Sequence, residues 1–246
     1  MTSLIIFCTI AVLSLLVVSI ANQREERQRS RRIRMHKLKL RVDELEALLL
    51  NLVNLQENQD VLIQINDEII DMYRAMMQLD SSQTYLEAGL KNAEQRNASL
   101  SEPLANPPKR LLESDAKIAL AQRHLTEAAK VIRHRQAHAK ISMEEMQIYV
   151  KELSYQHLMV DVISMIGQGH KATNKSNPLS AQAFYKKARQ MLIQSTHSDP
   201  RRHQLIKEVA ELLDGKRKSI SPSLMPETFL NPDTQNDNQN QLLDDF

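Results

Sequence analysis

The sequence predicts an all-α protein, and three observations carry that prediction. Its 246 residues include only 4 Gly and no Trp, well short of the roughly 7% glycine usual in proteins, so turn-rich sheets and most nucleotide-binding folds are disfavoured. Apolar residues recur at heptad spacing over long stretches without Gly or Pro, the pattern of packed helices. Charge is segregated as well. Between Arg24 and Arg41 nine bases face two acids, Ser219 to Phe246 holds five acids and no base, and the middle is neutral within a formal total of +2. The single Cys8 allows neither an intramolecular disulfide nor a cysteine-based zinc site.

Taken in order, Leu4 to Ala21 is apolar apart from Cys8, Thr9, Ser14 and Ser19. At the helical rise it is about 27 Å long, close to the ~30 Å hydrocarbon core. Residues 1–22 are therefore expected to form a single-pass transmembrane helix. The bases behind it would keep the N-terminus outside and the rest cytoplasmic, at the cell membrane (the inner one in a Gram-negative cell). The runner-up treats Ser19-Ile20-Ala21 as a cleavage site and the chain as an exported periplasmic helical protein. Against it stand the lack of a basic segment before the apolar run and the bases just after it.

Residues 23–41 form a basic neck. Arg24, Arg27, Arg29, Arg31, Arg32, Arg34, Lys37, Lys39 and Arg41 suit anionic lipid headgroups, at roughly 1 kcal/mol per base near the surface. Nucleic-acid binding there would want interleaved aromatics or a recognisable reader module, and the neck has neither.

Residues 42–98 read as a coiled-coil region, and a homodimer through the first coil is expected. One seam runs Leu38, Val42, Leu45, Leu49, Leu52; an offset row runs Leu48, Leu55, Leu62, Ile69, Met76, with Ile65, Met72 and Leu79 beside it. The polar patch Gln56 to Asp60 separates them, where the helix either continues through a stutter or hinges. Asn51, Asn54, Asn58 and Asn66 either fix register in the seams or face solvent. Asp80 to Gln83 has the form of a capping box, starting a helix with Tyr85, Leu86, Leu90 and Ala93. Residues 99–108, with Pro103, Pro107 and Pro108, form a linker. The sequon Asn97-Ala98-Ser99 is expected to be accidental.

Residues 109–218 are expected to form antiparallel helical hairpins. The row Leu111, Ile118, Leu125, Ile132, Ala139 would pack on a helix from Ser142 to about Ile166, ended by Gly167 and Gly169. Pro178 and Pro200 start two more helices at first-turn positions, and Gly215 with Lys216 to Lys218 closes the last. Gly169, Ala181, Tyr185 and Ala188 stand at the Gly, Ala, aromatic and Ala spacings of the tetratricopeptide repeat. The resemblance covers one hairpin, lacks the other aromatic positions and has no second copy. It implies helix-hairpin packing, and no peptide-binding residues carry over.

Chemistry has few candidates. No phosphate-binding glycine motif is present, and Gly167-Gln168-Gly169 lacks a third glycine and a preceding strand. His134 and His138 have metal-sharing spacing but sit among Arg133, Arg135 and Lys140, so a solvated basic face is expected. His157 is expected to be a core histidine. With no catalytic constellation, cofactor or metal site evident, the chain is read as a non-enzyme.

Residues 219–246, proline-punctuated and polar, are expected to be a disordered acidic tail. It ends Leu242-Leu243-Asp244-Asp245-Phe246, which resembles the tip of bacterial single-stranded DNA-binding protein. That resemblance implies a terminal Phe and carboxylate docking in a basic-rimmed apolar pocket. The tail departs from it in lacking Ile-Pro before Phe and in having two Asp rather than three. The function expected from the whole is a membrane-anchored helical scaffold or adaptor acting on an unknown protein partner. The alternative is a membrane-attached accessory factor in nucleic-acid transactions.

Overall fold

A computed structural model of the chain describes residues 2–55, 58–80, 82–102 and 108–232, with side chains from 19 onward. Among the described residues it is all-α: α1 Thr2–Leu52, α2 Gln59–Leu79, α3 Thr84–Leu100, α4 Asp115–Ala137, α5 Met143–Asn174, α6 Pro178–Gln194 and α7 Pro200–Leu213, then a 3-10 turn Thr228–Leu230.

The expected membrane anchor is corrected: among the described residues, no helix is long and apolar enough to cross a membrane. Described side chains of α1 begin at Ser19, beside the charged neck, and the apolar positions Leu4 to Val18 lie outside the described side chains. The single-pass topology, the cell-membrane location and the spanning contact with lipid fall with the anchor. So do the membrane-attached and exported alternatives built on the same segment.

The polar patch between the seams breaks the helix. α1 ends at Leu52, and α2 restarts behind Asn58, whose side chain accepts from the Asp60 N–H. A buried face on each side drives the chain to reverse: Val42, Leu45, Leu49 and Leu52 pack within the chain, as do Leu62, Ile65, Ile69 and Met76. α1 packs on α2 and α4, and α2 on α3 and α4. The seam expected to pair two copies is thus occupied within one chain. Of the four asparagines, Asn66 alone is buried. It donates to the Ala93 carbonyl and the Asn97 side chain, each at 2.7 Å, and accepts from Arg96 at 3.1 Å. Asn97 in turn donates to Asp67 at 2.6 Å. Its amide nitrogen is therefore committed to the α2–α3 contact.

Asp80 does not cap α3. It accepts from the backbone and hydroxyl of Ser82 and from Gln83, forming a turn, and α3 starts at Thr84 without a side-chain cap. The complete capping box is at Ser142 and Glu145, opening α5. α5 then continues through Gly167 and Gly169 to Asn174, past the expected stop. Those glycines are sites of close approach: a Cβ on Gly169 would sit 2.2 Å from the Tyr185 ring, and one on Gly167 2.6 Å from Leu111. Glycine here lowers helix propensity by about 1 kcal/mol relative to Ala and lets α6 and the segment before α4 pack directly on α5.

Three helices end in a left-handed residue: α7 at Gly215 (φ 68), as expected, and α4 and α5 at Ala139 (φ 54) and Ser176 (φ 55). Ala139 follows α4 with the Lys140 N–H bonded to the Arg135 carbonyl, a position that favours glycine. Ala139 is exposed, so Ala139→Gly is expected to stabilise the chain by about 1 kcal/mol. Equilibrium urea unfolding checks this, and a lower midpoint in the variant would contradict it.

The tail expectation changes over 219–232. Ile220, Leu224 and Met225 are buried in the common core, and two carboxylates hold the segment. Glu208 on α7 accepts from the Ser221 N–H at 2.8 Å and its hydroxyl at 2.7 Å. Burial pushes Glu208 up, but the Ser221 bonds, Gln204 and Arg217 outweigh it and hold the carboxyl below its usual range. Glu227 accepts from the Arg110 backbone N–H at 2.6 Å, and the Arg110 guanidinium donates to the Leu224 carbonyl at 3.1 Å.

Candidate interaction surface

From Ser19 to Arg34 every residue of α1 is exposed. The helix is anchored only from about Met35 and Leu38 onward, where side chains begin to meet the core. Among the described residues, Arg24, Arg27, Arg29, Arg31, Arg32 and Arg34 make no ion pair. Arg41 is bonded to Glu44 at 2.8 Å, and Lys39 lies 5.6 Å over the Tyr85 ring. Lys37 is exposed. The nine neck residues therefore divide into an unpaired outer group and an inner group that begins to engage the body.

The other basic segment has the opposite fate. His134, Arg135 and Lys140, expected on a solvated face, meet a row of acceptors on α2 formed by Gln64 and the acids Asp67, Glu68 and Asp71. These recur at the spacing of one helix face. Arg135 is 5% exposed and Glu68 8%. The Arg135 guanidinium reaches Gln64 at 3.0 Å, Glu68 at 3.2 Å and Asp71 at 3.3 Å, with Asp67 at 3.7 Å. His134 lies 3.4 Å from Glu68, and Lys140 3.3 Å from Asp71. His138 stacks near His134, centroids 4.1 Å apart, and among the described residues no group of side chains has the makings of a metal site. The cluster keys α4 to α2.

His157 is half-buried rather than in the core. The core histidine is His170, fully buried on α5, and sequence reasoning passed over it; its place between two alanine- and glycine-bearing helix faces was the available signal. Its Nδ1 is 2.8 Å from the Tyr185 hydroxyl, which is 3.3 Å from Thr173 Oγ1, and Thr173 donates to the Gly169 carbonyl at 3.1 Å. One proton per group fits this thread if His170 is protonated on Nδ1, donates to Tyr185, and Tyr185 donates to Thr173. His170 Nε2 is then a bare acceptor, with no partner in the structure. Burial pulls the imidazole down to about 4. Burial also raises Tyr185. Tyr185 and Thr173 border a cavity of about 270 Å³ at the junction of α5, α6 and α7, with Ala181 and Leu212 among its walls.

Leu242, Leu243, Asp244, Asp245 and Phe246, the expected partner-binding tip, lie outside the described residues. The helix-hairpin packing implied by the tetratricopeptide resemblance is present as α5 against α6, with Gly169 against the Tyr185 ring. Comparison with family profiles, with curated proteins and with solved structures gives no significant match.

Proposed function

We propose that the chain is a helical adaptor that works through protein–protein contacts, with the outer part of α1 as its presenting element. One observation carries this: six arginines from Arg24 to Arg34 stand exposed and without an ion pair among the described residues. A helix that is polar all round has no packing to stabilise it and few favourable i,i+4 pairs here, so it is a helix made to be covered. The body supports the same reading, since its buried ionic contacts between α2 and α4 hold the base of α1 in a fixed frame.

Site-specific photo-crosslinking in the native cell tests it. A crosslinker replacing Ser30 on the arm is expected to trap a heterologous polypeptide, and one at exposed Thr126 on α4 is not. Equal labelling from both sites, or none from Ser30, would count against the adaptor.

A further inference from the structure

We infer that the outer part of α1 is a docking face for an acidic helix, which lies along a one-sided stripe of arginines as a continuation of the α1–α2 packing. The inference rests on the adaptor reading and names its partner by chemistry.

The stripe follows from helical geometry. At about 100° per residue, Arg24, Arg27, Arg31 and Arg34 all fall within about 40° of the direction of Leu38. Val42, Leu45, Leu49 and Leu52 occupy the same sector further along, and there they are buried. One face of α1 is thus apolar where α2 covers it and arginine-lined where α2 has ended. α2 stops at Leu79, and at that step Gln23, Glu26, Arg27, Ser30, Arg31 and Arg34 of α1 and Leu79 of α2 border an open groove of about 530 Å³, in which three arginines outnumber the one carboxylate. The last turn of α2 has no base, so the nearest positive charge in the groove is that of α1.

The occupant is set by charge and by spacing. Arginines at alternating three- and four-residue steps match carboxylates placed at the same steps on a second helix, the geometry in which fork-like guanidinium contacts form. A second copy of the arm would lay arginine against arginine. A polyanion that wraps the helix would also meet Glu25, which by the same geometry points away from the stripe, as well as Glu26 in the groove wall. Between Ser19 and Arg41 there is no Phe, Tyr or Trp, so stacking on bases has no platform.

The test uses the full chain, kept in solution with a non-ionic detergent, and a labelled synthetic helix with Glu at three- and four-residue steps. The matched controls are the same peptide with Gln for Glu, a duplex DNA oligonucleotide, and anionic phosphatidylserine vesicles. The Glu peptide is expected to bind and the Gln peptide not. The double variant Arg27→Gln with Arg31→Gln should weaken binding by on the order of tenfold, and Arg29→Gln with Arg32→Gln, equal in charge but off the stripe, by less than about threefold. All four residues are exposed, so circular dichroism should be unchanged. Equal effects of the two pairs, tighter binding of DNA or vesicles than of the peptide, or self-association lost in the stripe variant would each overturn the inference. If the peptide fails to bind while Ser30 still crosslinks a partner, the acidic helix is wrong and the adaptor stands. If both fail, both are wrong.

Discussion

Arg135→Ala is expected to lower the stability of the chain by about 3–5 kcal/mol, the usual cost of removing one partner from a buried ionic contact. The guanidinium is enclosed, 5% exposed, and holds a row of acceptors that would otherwise face one another across two turns of α2. Without it, Glu68, 8% exposed in the intact chain, keeps among the described residues only the His134 contact. Arg135→Lys should recover little, because one ammonium cannot serve Gln64, Glu68 and Asp71 from a single point as the planar fork does. Removing the charge on both sides, Arg135→Met with Glu68→Gln, should lose clearly less than Arg135→Ala, since no uncompensated charge then stays buried at that pair. Urea unfolding of the four proteins checks the order. A loss below about 1 kcal/mol in Arg135→Ala would place the cluster in the class of solvated surface pairs.

Acid should destabilise the chain through His170. The folded imidazole sits at about 4 against an ordinary value of 6.5, so below pH 6.5 the unfolded chain binds a proton that the folded one refuses. The stabilisation is therefore complete above pH 6.5 and is lost progressively as pH falls towards 4, by roughly 3 kcal/mol in all. His170→Asn can still donate to the Tyr185 hydroxyl but cannot titrate. Subtracting its unfolding free energy from that of the unsubstituted chain at each pH isolates the histidine from the carboxylates that titrate below it. The difference should change steadily between pH 6.5 and 4 and be flat above 7. A difference that is flat throughout would show that His170 is not held neutral by burial.

These two residues mark where sequence reading stopped. The helical rows were legible because they are local: Leu62, Ile69 and Met76 were assigned to one face, and all are buried. Pro178 and Pro200 were legible as helix starts because their fixed backbone suits a first turn. Gly167 and Gly169 misled because glycine serves both as a stop and as a gap for a neighbouring ring, and only the position of Tyr185 decides between them. Ile220, Leu224 and Met225 follow no helical period because the segment is held by separate anchors, so burial left no pattern to read. Arg135 was visible as a base, yet its acceptors lie 64 to 71 residues away, and pairings at that distance are fixed by how α2 and α4 pack. On the candidate surface, the bases of the neck were legible individually. That four of them continue the buried sector of α1 became visible only once α2 was known to end at Leu79.

The contact between Arg110 and Glu227 joins residues 117 apart in sequence, and it bears on the order in which the chain is completed. α1, α2 and α3 are neighbours in sequence and meet through short connections, so their packing asks little loop-closure entropy and can form early. The second half is different. The segment before α4 receives its last partner only after α4 to α7 and the stretch behind them have been synthesised. On a ribosome, the first three helices can therefore settle while the remainder is still a nascent chain, and the guanidinium of Arg110 waits in water until nearly the whole protein has emerged.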